Sequence, residues 1–232
     1  MSASEQKVLL SALSRLQLRA DETILLVIAT KTRQDEGTFL GEVLEQEPAF
    51  AQEWKCFGKS RAVLRVHRKD ALETSAALLQ TLAEDVGIDA RVALPGAHAL
   101  TLAVALAQAE ESYAAGRCFY PNQPIYRYED LVLERLLLCL PTDAAKVFVQ
   151  QSLGDLAHGL NPDLQATLQT FFREDLSLTE AAKQLYLHRN SISYRLEKVR
   201  QASGRDVRHF QDAVLVYLGL LLSERVRHQG AF

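Results

Sequence analysis

Apolar and polar positions along the 232 residues follow two regimes. Up to about residue 128, short apolar runs alternate with stretches of helical period. Residues 22–30, ETILLVIAT, form a continuous apolar run rich in β-branched side chains, the pattern of a strand buried on both faces. Residues 34–47 then predict a helix with Phe39, Val43 and Leu44 inward, stopped by Pro48. Residues 54–57 and 62–67 predict two strands joined by a hairpin turn at Gly58-Lys59-Ser60. A helix over 70–86 ends at Gly87, a strand follows over 89–94, a helix over 98–115 ends at Gly116, and a last strand spans 124–128. This alternation predicts an α+β domain with helices packed on a mostly antiparallel sheet. Ahead of it, Leu9, Leu13 and Leu16 make residues 5–18 a short amphipathic helix. It is either a dimerisation or signalling helix, or a cap on its own domain's core.

From residue 129 the period is helical throughout. Residues 126–140 carry leucines on nearly every face, as for a helix buried between the halves of the chain or between two chains. After Pro141 a helix over 144–160 is capped by Thr142 or Asp143. Asn161 and Pro162 are the N-cap and first residue of a helix over 163–173, with Leu164, Leu168, Phe171 and Phe172 directed to a core. A closing helix over 207–225 turns Val214, Leu215, Leu218, Leu221 and Leu222 inward, and residues 226–232 form a frayed tail. The expected divisions are a leading helix (1–20), an α+β domain (21–128), a helical connector (129–160) and an all-α domain (161–225).

Within that last domain, residues 177–204 predict two short helices joined by a tight turn. Ser177 and Glu180 form an S-x-x-E capping box, which satisfies two orphan N–H groups reciprocally. Ala181 and Ala182 are small enough for a second helix to cross closely. That helix starts near His188 and packs Ile192, Leu196 and Val199 inward. Its opposite face carries Asn190, Ser193, Tyr194 and Glu197, with Arg189 and Ser191 at the amino end and Lys198 on the flank.

Arg can fork onto guanine and Asn onto adenine, so this pattern suits a helix that enters the major groove. Arg189, Asn190, Ser193 and Tyr194 are the candidates for base contacts. Ser191, Arg195 and Lys198 are the candidates for phosphates, with Thr179 and Lys183 on the preceding helix as further ones. Arg195 also lies near the buried edge of its helix, where a structural role is the alternative. Between Ser177 and Arg208 there are seven basic and three acidic residues, a net +4, in a chain whose total is −3. Positive charge is therefore local, as phosphate binding favours. The other reading is the polar face of any amphipathic helical hairpin.

Composition changes the picture little. An apolar fraction of 48% and a charged fraction of 24% are ordinary for a globular chain. No run of eighteen apolar residues and no cleavage pattern is present, and Cys56, Cys118 and Cys139 are far apart and match no metal or redox spacing. A cytoplasmic location is expected, with no cofactor, metal site or catalytic group.

The runs L-S-L-x-x-A-A-K-x-L and L-H-R-N-S-I-x-Y-R-L-x-K-V, a Gly that ends the second helix, and a closing apolar helix resemble the C-terminal helix-turn-helix of bacterial regulators of the purine-catabolism (PucR) and sugar-diacid (CdaR) type. One departure is Tyr186, where many helix-turn-helix proteins keep a Gly. The order of elements before it, the strand A-R-V-A-L-P-G and the helix bearing A-x-A-E-E-S-Y-A-A-G-R are similar to a GGDEF-like domain. The hairpin Phe57-Gly58-Lys59-Ser60-Arg61 lacks the cyclase motif, and Val27-Ile28-Ala29 supplies no carboxylate after the first strand.

The resemblance implies a regulator of catabolic genes that binds double-stranded DNA and responds to a small-molecule effector; because one helix-turn-helix buries little surface, a homodimer is expected. A nucleotide-binding or cyclase-like enzyme or interaction module is the alternative. Within the α+β part, Arg65, His67, Arg68 and Lys69 form either an anion site or a solvated strand edge.

Overall fold

The computed structural model describes residues 18–32, 40, 54–57 and 60–229. The predicted helices over 5–18 and 34–47 lie outside the described residues, apart from Leu18 and Leu40, which both pack on the core. The chain divides into two compact units, Met1–Leu138 and Cys139–Phe232.

In the first unit the strands β1 (Glu22–Thr32), β2 (Trp54–Phe57), β3 (Arg61–His67), β4 (Ile88–Leu94) and β5 (Ile125–Arg127) form one sheet in the order β2-β3-β1-β4-β5. All neighbours are antiparallel except β4 and β5, so the expected mostly antiparallel sheet is present. Strand β1 lies at its centre and alternates its side chains between two cores. Ile24, Leu26 and Ile28 meet the helix α2 (Leu102–Phe119) through Ala105, Leu106, Ala109 and Tyr113. Leu25 and Val27 join the core that holds Ala71, Leu78 and Leu82 on the other face. Burial on both faces is why β1 reads as an unbroken apolar run.

The helix predicted over 70–86 is α1 (Ala71–Thr81), continued by a π-helical turn over Leu82–Val86 that ends at left-handed Gly87, φ 72°. The helix predicted to stop at Gly116 instead runs through it to Phe119. A Cβ on Gly116 would lie 2.1 Å from the Tyr126 ring, so this glycine lets strand and helix approach rather than ending the helix. Burial raises the Tyr126 pKa above its ordinary value, and Arg91 partly offsets that. Three of the four basic residues at the end of β3, Arg65, His67 and Arg68, have intramolecular partners. Arg65 pairs with Glu22 at 3.4 Å, His67 with Asp21 at 3.3 Å, and Arg68 donates to the carbonyls of Glu22 and Ala97.

The expected connector over 129–160 is shared between the units. Leu131, Glu134 and Leu137 are buried, whereas Val132 and Leu136 on α3 (Val132–Leu138) are exposed, so not every face of this leucine-rich stretch is covered.

In the second unit α4 (Thr142–Leu153) stops at Gly154, short of the expected residue 160, and a 3₁₀ segment continues to His158. Gly154 has φ +55°, and a Cβ there would lie 2.7 Å from the carbonyl oxygen of Ala202. The helices α5 (Pro162–Arg173), α6 (Leu178–Gln184), α7 (Arg189–Ser203) and α8 (Phe210–Gln229) complete the unit. Helix α8 extends four residues into the segment expected to fray. Its core positions are Ala213, Val216 and Leu222, and Gly219 allows close approach to Ser152 and Leu153 of α4. The predicted inward Val214 faces solvent, because a helix apolar on several sides carries no period to orient it.

Candidate nucleic-acid interface

The site is a three-helix arrangement of α5, α6 and α7, each with a local start signal. Asn161 Oδ1 accepts the N–H of Asp163 at 2.8 Å, with Pro162 opening α5. Ser177 Oγ accepts the N–H of Glu180 at 3.3 Å and opens α6. The reciprocal half of the expected capping box is absent. The N–H of Ser177 donates to the Glu174 carbonyl at 2.8 Å, and the Glu180 carboxylate pairs with Lys183 at 2.7 Å. Helix α7 is opened by a residue that sequence reasoning left without a role: His188 Nδ1 accepts the N–H of Asn190 at 3.2 Å. Gly204, φ 72°, ends α7 in the left-handed conformation.

Ile192, Leu196 and Val199 of α7 are buried as predicted, alongside Ala181 and Ala182 of α6. What remains outward is a stripe of Asn190, Tyr194 and Lys198, one helical turn apart, flanked by Arg189. Tyr194 is 62% exposed, and the Lys198 ammonium lies 4.7 Å from its ring centroid, a cation–π contact. Ser191 and Ser193 are half-buried on either side, and Thr179 is exposed on α6. Asn190, Tyr194 and Lys198 also line an open cleft of about 580 Å³ whose other wall is Asn161, Asp163 and Leu164 of α5.

The local positive charge is largely neutralised in place. Arg195 pairs with Asp163 at 3.1 Å and donates to Thr167 Oγ1 at 3.1 Å, fastening α7 to α5. Lys183 holds Glu180, Arg200 holds Glu197, Arg205 pairs with Asp212 at 3.3 Å, and Arg208 bridges Asp206 and Glu197. These hydrogen bonds hold the Glu197 and Asp206 carboxyls below their ordinary range, through Arg200 and Arg208 respectively. Of the seven basic residues counted in the sequence, only Arg189 and Lys198 make no ion pair among the described residues. Both border the Asn190–Tyr194 stripe. Arg195 and Lys183 thus have intramolecular partners where the sequence suggested phosphates.

Among the described residues no helix is long and apolar enough to cross a membrane, and no group of three or more His, Cys, Asp or Glu could hold a metal ion.

Comparison with known proteins places this geometry. Residues 164–222 match the PucR C-terminal helix-turn-helix domain. The chain is 32% identical over 117 residues, 50% of its length, to the carbohydrate diacid regulator of Escherichia coli. It is 27% identical over 124 residues, 53% of its length, to the purine catabolism regulatory protein of Bacillus subtilis. It is 36% identical over 85 residues, 35% of its length, to the transcriptional activator PmfR of Paenarthrobacter nicotinovorans. The matched stretches span only 30%, 23% and 18% of those proteins, respectively. Helices α6 and α7 lie wholly, and α5 and α8 largely, within the segment that matches the PucR C-terminal helix-turn-helix domain, so this part of the chain is a helix-turn-helix of the PucR type.

Proposed function

We propose that the chain is a sequence-specific DNA-binding regulator of catabolic genes in which α7 enters the major groove. The observation that carries this reading is the outward stripe of α7. It is polar and hydrogen-bond-capable, and it holds Lys198 and is flanked by Arg189, neither of which makes an ion pair among the described residues. Arg189, Asn190, Ser193 and Tyr194 read base edges, while Ser191, Lys198 and, on α6, Thr179 hold phosphates. Arg195 is left to position α7. The reading needs no catalytic group.

One reading helix with two uncommitted cations buries little DNA, so the working form is a homodimer. Its second copy is held through Phe210 and Val214 of α8, which are exposed one turn apart.

The test is selection from a randomised duplex pool with the full chain, followed by binding to the enriched duplex and to random DNA. A defined motif should emerge, and an Arg189→Ala/Asn190→Ala variant should bind it no better than random DNA. Arg189→Ala alone should lose about 1–3 kcal/mol on the motif, whereas Lys198→Ala weakens all sequences alike. Failure to enrich any motif at low salt would overturn the reading.

A further inference from the structure

Tyr186 lies in the turn between α6 and α7 at φ +55°, the left-handed region that glycine enters freely and an aromatic residue does not. Main-chain bonds build this turn. The N–H groups of Leu185, Tyr186 and Leu187 donate to Ala181, Lys183 and Ala182 at 3.1, 3.1 and 2.9 Å. None of them needs a side chain at position 186. The side chain itself is 95% exposed, and it makes no hydrogen bond or ring contact among the described residues. An exposed tyrosine alone calls for no explanation. Here, however, a large side chain occupies a conformation that glycine would hold with less strain, and no contact among the described residues uses it.

Its position supplies the use. Tyr186 stands two residues before the N-cap of α7 and beside Leu187, which lines the cleft shared with Asn190 and Tyr194. It therefore lies at the end of α7 that carries Arg189. A helix entering the groove by its amino end brings the preceding turn over the phosphates at the groove's edge. The phenol is a rigid, neutral donor suited to a phosphate oxygen.

We propose that Tyr186 is a further DNA contact, its hydroxyl donating to a backbone phosphate beside the groove that α7 reads. This rests on the reading of α7 as the DNA-reading helix.

The experiment compares the full chain with Tyr186→Phe, Tyr186→Gly and Arg189→Ala/Asn190→Ala, by thermal unfolding and by affinity for the selected duplex over a range of salt. Tyr186→Phe should unfold at the parent temperature and bind about 5- to 30-fold more weakly. Its dependence of log K on log salt should match the parent's, because a neutral donor releases no counterion. Lys198→Ala, by contrast, should reduce that slope by about 0.9. Tyr186→Gly should bind as weakly as the Phe variant while unfolding about 2–4 °C higher, since the turn is relieved of strain.

Parent affinity in Tyr186→Phe would overturn the proposal, as would a lowered unfolding temperature in Tyr186→Gly. If Arg189→Ala/Asn190→Ala still loses its preference for the motif in those cases, the reading of α7 stands and only the tyrosine's role falls. If that variant also binds like the parent, the reading of α7 falls with it.

Discussion

His188 fixes where the reading helix begins, because its Nδ1 is the acceptor for the N–H of Asn190. Replacing it with Ala removes that acceptor and should cost about 1 kcal/mol of stability in thermal unfolding, whereas His188→Asn, a good cap, should cost much less. If both variants unfold alike, the ring is not acting as the cap. Gly116 shows the same dependence on one atom inside the first unit. A methyl group there meets the Tyr126 ring at 2.1 Å, so Gly116→Ala must displace the ring or bend α2. About 1–3 kcal/mol should be lost in denaturant unfolding, despite the higher helix propensity of alanine. Neither role is visible in sequence. Histidine is not among the usual caps, and a glycine followed by Arg and Cys resembles a helix end until the partner ring is placed above it.

At the level of elements, α7 is held on one side by Arg195 to α5 and on another by the cluster of Glu197, Arg200, Asp206 and Arg208. Both carboxyls of that cluster are depressed, by hydrogen bonds from Arg200 and Arg208. A folded-state pKa below the unfolded value contributes stability that is present above the ordinary carboxylate range and lost as pH falls through the depressed value. Between pH 7 and 5 the contribution of this cluster should therefore be fully present, and unfolding should show no pH-dependent change from it. Unfolding should show a loss at lower pH that is smaller in Arg208→Ala. A loss of equal size in parent and variant would mean that Arg208 does not hold Asp206. The helices themselves were legible in the sequence because their signals are local: Asn161-Pro162, Ser177, the spacing of Ile192, Leu196 and Val199, and Gly204. The cancellation of charge was not legible, since Asp163 stands thirty-two positions before Arg195 and only the packing of α5 on α7 brings them together. The orientation of α8 was likewise hidden, because Val214, Leu215, Val216, Tyr217 and Leu218 offer an apolar residue at every angle.

For the whole molecule, the small number of uncommitted cations limits how DNA binding can depend on salt. A sequence count of net +4 around the reading unit suggests a strongly electrostatic binder. The ion pairs leave Arg189 and Lys198, so one copy should displace counterions from about two phosphates and two copies from about four. The slope of log K against log salt should then lie near −2 for a single copy and between about −3 and −4 for a dimer. On the proposed dimer, affinity at physiological salt comes from two half-sites held together, spaced about 34–36 Å or a multiple of that apart. Phe210, 75% exposed at the start of α8, and Val214 one turn on are the contacts proposed for the second copy. Phe210→Glu/Val214→Glu should leave the unfolding temperature close to the parent's, since both positions face solvent. The same change should convert the chain to a monomer in sedimentation, halve the salt slope and lower affinity for the selected duplex at least a hundredfold. A variant that still sediments and binds as the parent does would remove α8 as the dimer contact. A parent slope near −2 with one copy bound would remove the dimer itself.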